Sequence, residues 1–325
     1  MKHGQRVAVA GASGFVGQNL VSALLQHGAH VLALCRNPGA VDWPTASAGE
    51  LTVLAVDVAN TERLTDELQT FGADSAYYLI HSMGGGIEER DAFVELDRRL
   101  ARSFATAAAQ AAIGQVIYLG GHTPAGDFIS DHLESRADVA RSFRRSGLMV
   151  TELRAGVVID LQSAAFRMLS TIIERQSVLL IPPQFKNLGH PIAVDDAVAC
   201  LLAALDLPES CRNRTYDIGC KDACRYVDLI GWYAKLLGQA PRMVDIPWAP
   251  REMIVPYVAA ITGEDFGLVW ALSGSWGVDL PIRESGLYDR FPNLPRTSAE
   301  EAVRQALDSG RRTQIQPSRS AREAS

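Results

Sequence analysis

Short apolar runs alternate with helical patterns over the first third of the chain. Residues 6–10, 30–35, 51–56, 76–80 and 115–119 read as strands, with helices expected to begin near Phe15, Thr61, Glu88 and Ser130. Strand–helix alternation of this kind builds a parallel sheet covered by helices on both faces, so the expected fold is a doubly wound α/β fold. A further strand at 150–153 extends the sheet, and 163–175 reads as a helix. Beyond about residue 180 the alternation weakens, while prolines and Trp232, Trp248, Trp270 and Trp276 concentrate. The remainder is expected to form a smaller, mostly helical C-terminal lobe, with those tryptophans mainly in its core. The expected division is therefore 1–180, then 181–308 with the chain returning to the sheet near 190–205, then a tail at 309–325. That tail holds four arginines among Ser, Gln and Pro, a composition expected to be disordered.

Composition removes several function classes. The 325 residues carry 31 basic and 37 acidic side chains, a net charge of −6, with no Lys/Arg cluster to displace counterions from nucleic acid phosphates. The longest charge-free run, 103–126, is interrupted by Gln110, Gly114, Gln115, Gly120, Gly121 and Pro124, so it reads as a helix end and a buried strand, with no membrane span. Only a few apolar residues precede the first glycine-rich loop, too few for a signal peptide, and a cytoplasmic location is expected. Five cysteines without an export signal are expected to be reduced thiols. The pair Cys220 and Cys224 has no neighbouring histidine, so no metal is expected.

The chemistry begins at the first strand. Val7-Ala8-Val9-Ala10 runs directly into Gly11-Ala12-Ser13-Gly14-Phe15-Val16-Gly17 and then into a helix through Leu20 and Leu24. In G-x-x-G-x-x-G set between strand and helix, Gly11 permits the turn, Gly14 admits a pyrophosphate close to the backbone, and Gly17 lets the helix pack. Unpaired N–H groups and the dipole at the helix start hold the phosphates. The spacing resembles that of the extended and atypical short-chain dehydrogenase/reductases, which have a Rossmann fold. The second strand ends on Cys35-Arg36, and the nearest acid downstream is Asp42, so Arg36 is placed to read a ribose 2′-phosphate. NADP is the expected cofactor, with NAD the alternative. After the third strand, Asp57-Val58 is similar to the family element that meets the adenine ring, although Asp57 could equally cap the helix near Thr61.

The family resemblance also implies a catalytic tyrosine with a lysine four residues later, and this chain has no such pair. Lysine occurs only at 2, 186, 221 and 235, and none of these lies four residues after a tyrosine. Where the pair would fall, the chain reads His132-Leu133-Glu134-Ser135-Arg136. Before it stands Tyr118-Leu119-Gly120-Gly121-His122, with glycines where a catalytic serine is usual. Together with Tyr78-Leu79-Ile80-His81-Ser82-Met83, Glu89-Arg90-Asp91, Leu153-Arg154-Ala155-Gly156 and Pro191-Ile192-Ala193-Val194-Asp195-Asp196, these resemble one branch of the atypical family. That branch is related to the NmrA-like proteins and to the nucleotide-binding accessory subunit of respiratory complex I.

The resemblance implies cofactor contacts at Ile80, His81, Ser82, Gly120, Gly121, His122 and Arg136, because strand ends at the carboxyl edge of such a sheet face the nicotinamide half of the dinucleotide. His81 and His132 are the candidates for proton transfer, and structural or cofactor-positioning roles for His132 stay open. Asp195 and Asp196 read as helix caps. Two functional readings follow. One is an NADP-dependent oxidoreductase acting on a small hydrophobic carbonyl or activated alkene. The other is a non-catalytic sensor, assembly factor or accessory subunit that holds the nucleotide and meets a protein partner. Epimerase or dehydratase chemistry on nucleotide sugars fits less well, since relatives of that kind use the absent tyrosine and lysine.

Overall fold

A computed structural model describes residues 3–44, 49–81, 90–124 and 131–315, and for 90–93, 131–133 and 311–315 it describes the backbone alone. The first half runs β1 (Arg6–Ala10), α1 (Phe15–Gln26), β2 (His30–Cys35), β3 (Glu50–Ala55), α2 (Thr61–Phe71), β4 (Ser75–Tyr78), α3 (Arg90–Gln110), β5 (Gln115–Gly121), α4 (Asp131–Arg145) and β6 (Val150–Ala155). It continues through β7 (Val158–Ile159), α5 (Ala164–Arg175), β8 (Val178–Ile181), β9 (Leu188–Gly189), β10 (Ile192–Ala193), α6 (Val194–Leu205), β11 (Thr215–Ile218) and β12 (Cys224–Arg225). The last elements are α7 (Tyr226–Leu236), β13 (Arg242–Asp245), α8 (Arg251–Thr262), α9 (Phe266–Ser273), α10 (Gly286–Arg290) and α11 (Ala299–Ile315).

The central sheet is seven-stranded and parallel, in the order β11-β6-β5-β4-β1-β2-β3. Strand alternation sorts its side chains. Val7 and Val9 join the core under α1 and α6, with Leu20, Leu24, Leu201 and Leu205, whereas Ala8 and Ala10 face Leu64, Phe104, Ala108 and Phe143 of α2, α3 and α4. Because β1 pairs with β2 on one side and β4 on the other, the chain reverses direction across the sheet there. A crevice opens at such a switch point above the carboxyl ends of the strands.

The doubly wound sheet agrees with the sequence reading, but the second half differs from it in three places. Residues 194–205, where the chain was expected to return to the sheet, form α6 on the face shared with α1, and the returning strand is β11. Helix α5, assigned by sequence to the first domain, packs instead on α7 and α8, burying Phe166, Met168 and Ile173 in the lobe's own core. The helix α11 runs to Ile315, past the expected start of the tail at 309; residues 316–325 lie outside the described residues. In the lobe core Trp276 is buried and Trp232 and Trp270 pack against it, while Trp248 is 74% exposed.

Asp195 and Asp196 sit in the first turn of α6, whose cap residue is Ala193. Asp196 caps a different element, accepting from the Thr297 N–H (2.6 Å) and hydroxyl (3.0 Å) at the entry to α11.

The edge strand β11 carries a buried acid that fixes its place. Asp217 stands opposite Arg154 of β6 in the register and accepts from its Nε at 2.6 Å. Its other oxygen accepts the backbone N–H groups of Arg283 (2.7 Å) and Glu284 (2.9 Å). Burial works to raise the carboxyl pKa, but those two N–H bonds and Arg154 outweigh it and hold the group below its ordinary value. Asp217→Ala is expected to destabilise the protein by about 3 kcal/mol, because it strands two N–H groups and takes the carboxylate from the partly buried Arg154 guanidinium, which among the described residues keeps only its bond to the Thr123 hydroxyl. Urea unfolding at neutral pH checks this, and a change below about 1 kcal/mol would contradict it.

Candidate functional site

The loop between β1 and α1 is built on close backbone contact. Gly11 has φ +85° and lies against the backbone of Leu79 and Ile80, where a Cβ would come within 3.0 Å. At Gly17 a Cβ would sit 2.3 Å from the Gly11 carbonyl oxygen and 2.9 Å from Ala12 backbone atoms. Only glycine lets α1 start this near the strand end. Gly14 is the N-cap, and the first helical bond runs from the Gln18 N–H to the Gly14 carbonyl at 2.9 Å. The N–H groups of Phe15, Val16 and Gly17 in the first turn are thus outside the helix ladder and available to an anion. The residues present fit the diphosphate of a dinucleotide.

That loop forms one wall of a cleft of about 390 Å³ over the carboxyl ends of β1, β4, β5 and β6. Of the residues singled out from the sequence, Gly11, Gly14, Phe15, Val16, Gly17, His81, Gly120, Gly121, His122 and Arg136 line it. Ala12 is fully buried beneath the loop, and the Ser13 carbonyl accepts the Gln18 side-chain amide at 2.8 Å. Ile80 packs on the α2–α3 core. Arg36 is exposed just past β2, where the Leu34 carbonyl accepts the Gly11 N–H at 3.2 Å. Asp57 does not cap α2. Asn60 does, accepting from the Arg63 N–H, while Asp57 accepts from the Ala59 N–H at 2.9 Å and Val58 is buried. Ser82 lies outside the described residues, as does the side chain of His132 on the first turn of α4.

The opposite wall comes from the lobe. Val157, Val158, Ala164, Ala165, Leu272 and Leu280 make it apolar, and it also holds the buried Tyr226 and the half-buried Ser275, whose hydroxyl donates to the Leu272 carbonyl at 2.7 Å. Tyr226 is the tyrosine that reaches the cleft. Tyr77 instead donates to the Leu201 carbonyl (2.9 Å), and Tyr118 donates to the Arg136 carbonyl (3.1 Å) beneath the sheet's edge. Tyr78 is packed among Phe104, Tyr118 and Phe143. Burial raises the Tyr226 hydroxyl pKa further, so at neutral pH it is a hydrogen-bond donor.

Two histidines border the cleft and differ in their partners. His81 places Nδ1 3.4 Å from Oδ2 of Asp97, a buried α3 carboxylate that also accepts the Ser135 hydroxyl at 3.0 Å. Burial, with help from the Arg136 charge and against the pull of Asp97, lowers the His81 pKa to about 4. Arg136 donates to the Leu119 carbonyl and lies 5.5 Å from the Tyr118 ring, which ties α4 to the end of β5. His122 is buried, with Nε2 3.0 Å from the Ile218 carbonyl, and its Nδ1 has no hydrogen-bond partner. Burial lowers its pKa to about 4 as well. Asp97 and Tyr226 were missed in the sequence. Asp97 stands in the charged run Glu95-Leu96-Asp97-Arg98-Arg99, and Tyr226 follows Cys224-Arg225, far along the chain from the other cleft motifs.

The sheet order and the glycine loop define a Rossmann architecture. A family model described as the NAD dependent epimerase/dehydratase family matches residues 7–145. Among curated protein sequences none matches the chain. The UDP-glucose 4-epimerase of Thermotoga maritima, solved with UDP-glucose, superposes with a TM-score of 0.73 at 13% identity, covering 95% of this chain and 100% of the epimerase. The enzyme WbmH of Bordetella bronchiseptica, solved with NAD+, gives 0.71 at 13% identity over 94% of this chain and 98% of its own. The UDP-glucuronic acid 4-epimerase of Bacillus cereus, solved with NAD, gives 0.61 at 18% identity over 85% of this chain and 97% of its own. At these identities the likeness establishes the fold. Among the described residues no helix is long and apolar enough to cross a membrane, and no three His, Cys, Asp or Glu side chains are grouped to hold a metal.

Proposed function

We propose that the chain is an NADP(H)-dependent oxidoreductase of the atypical short-chain type, acting on a small hydrophobic carbonyl or activated alkene. One observation carries the reading: a single cleft joins the glycine loop, the His81–Asp97 pair and an apolar wall from the lobe. The family match over residues 7–145 and the solved neighbours that hold NAD support a nicotinamide dinucleotide in the cleft. Gly14 to Gly17 would hold its diphosphate, and Arg36, exposed one residue beyond β2, would meet a 2′-phosphate. When bound, the nicotinamide supplies or accepts the hydride.

The remaining chemistry falls to this chain's own side chains. His81, with Nδ1 3.4 Å from the Asp97 carboxylate and its pKa lowered to about 4, is neutral at pH 7, the state a general base requires. Tyr226, as a donor, can hydrogen-bond a substrate oxygen. No lysine lowers its pKa, which favours an activated double bond, whose enolate takes its proton from water, over a simple ketone.

The test has two stages. In calorimetric titrations, the protein is expected to prefer NADPH over NADH by at least about tenfold, equivalent to about 1.4 kcal/mol, and Arg36→Ala is expected to erase that preference. Stopped-flow traces with enones, quinones and ketones are then expected to show NADPH oxidation. Tight nucleotide binding without oxidation by any of them would replace this reading with that of a nucleotide-holding accessory protein.

A further inference from the structure

We infer that the cleft opens into an apolar recess inside the lobe, and that this recess receives a short aliphatic arm of the substrate, about three carbons long. The inference rests on the proposed reading of the cleft as the substrate site and names the substrate class it selects. The recess has a volume of about 40 Å³ and shares Val157, Ala165 and Tyr226 with the cleft. The two spaces would join past these three shared residues. Beyond them Phe166, Met168 and Ile173 of α5 face Ile230 of α7, Val258 of α8 and Trp276. No described residue lining the recess is charged.

Packing physics gives the occupant. Protein cores are filled to the density of organic crystals, and an apolar void large enough for several atoms stays dry and takes apolar guests. At roughly 10–15 Å³ for each water-sized group, the space holds about three such groups, which sets the length of the arm. Tyr226 lines both spaces, while His81, Arg136 and Ser275 line the cleft alone, so the polar end of a ligand is retained in the cleft and its hydrocarbon end is directed inward. The cleft argues in the same direction. Among its described lining residues Arg136 is the one arginine or lysine, and its guanidinium is bonded to the Leu119 carbonyl. A sugar nucleotide would bring a second diphosphate, with no further cation in that lining to meet it.

The test titrates the full-length protein, saturated with NADP+, with methyl ketones from 2-butanone to 2-nonanone and reads tryptophan fluorescence, to which Trp276 of the recess wall contributes. The dissociation constant is expected to fall about fourfold per added methylene, the factor that corresponds to about 0.8 kcal/mol, and to level off once about three carbons are buried. Ile230 lies outside the nucleotide cleft. Ile230→Phe is expected to bring the plateau to shorter chains and Ile230→Ala to move it to longer ones, with NADP+ affinity unchanged in both. If the filling variant fails to fold, the enlarging one still carries the test. Affinity independent of chain length, or a plateau that neither variant moves, would overturn the recess. The binding readout needs no turnover: length-dependent binding without NADPH oxidation sinks the oxidoreductase reading alone, and oxidation without length dependence sinks the recess alone.

Discussion

Gly17→Ala is expected to lose dinucleotide binding and about 2 to 3 kcal/mol of stability together. The added methyl would lie 2.3 Å from the Gly11 carbonyl oxygen and 2.9 Å from the Ala12 backbone, and neither can rotate away as a side chain could. Relief requires α1 to move off β1, yet α1 is pinned by Leu20, Val21 and Leu24, all fully buried. The alternative is for the loop to open, which turns the first-turn N–H groups away from the position a diphosphate would take. Gly14→Ala separates the two effects. Its Cβ would be 3.3 Å from the Gly11 oxygen, a contact that small shifts can absorb, while Gly14 itself lines the cleft. That variant is expected to keep most of its stability and lose affinity. Urea midpoints and NADPH titrations on both variants decide the matter, and a Gly17→Ala protein that binds NADPH like the parent would falsify the packing described for the loop.

The same loop shows why so much of the first half could be read from the sequence. Central strands of a parallel sheet are buried on both faces, so β1, β2 and β5 appear as mostly apolar runs, each opening on one polar residue. The predicted and observed bounds of β1 and β2 coincide. The strand β11 escaped this logic because its four residues include Asp217, whose charge is satisfied by Arg154 from the neighbouring strand and by two N–H groups from a segment more than 60 residues away. Long-range pairing leaves no local pattern. Asp97 escaped for the converse reason: among Glu95, Arg98 and Arg99 it reads as part of a solvated helix face, but it is 2% exposed and supports His81. The helical pattern of α5 was legible, but its allegiance to the lobe was not, since a periodic apolar face does not say which core it fills.

Below pH 6.5 the protein is expected to lose stability through His81 and His122, by about 3 kcal/mol each across the interval down to pH 4. Burial is the main cause at both sites. At His81 the Arg136 charge adds to it, while the neighbouring Asp97 carboxylate opposes it. At His122 Asp217 and the Ile218 carbonyl favour the proton, whereas His190 and Arg154 disfavour it. Geometry explains why burial prevails at His122. With Nε2–H donated to Ile218, a second proton would have to sit on Nδ1, which has no acceptor. In the unfolded chain both imidazoles titrate near pH 6.5, so between that value and pH 4 the unfolded state binds more protons than the folded one. The contribution is therefore complete above pH 6.5, declines as the pH falls, and makes no further change below about pH 4, where both states are protonated. Asp217, held below its ordinary value, adds its own loss only under pH 3.8, so the two effects occupy separate windows. Together the histidines account for about 6 kcal/mol, comparable to the whole stability of an ordinary domain. Urea midpoints at pH 7, 6, 5 and 4.5 are expected to fall steeply, and His122→Gln, which keeps an amide donor for Ile218 and cannot titrate, is expected to remove about half of the slope. A wild-type midpoint that stays level over this range, or a variant with the parent's slope, would mean that these imidazoles accept protons in the folded state, and the assignment of His81 as a neutral base would fall with that result.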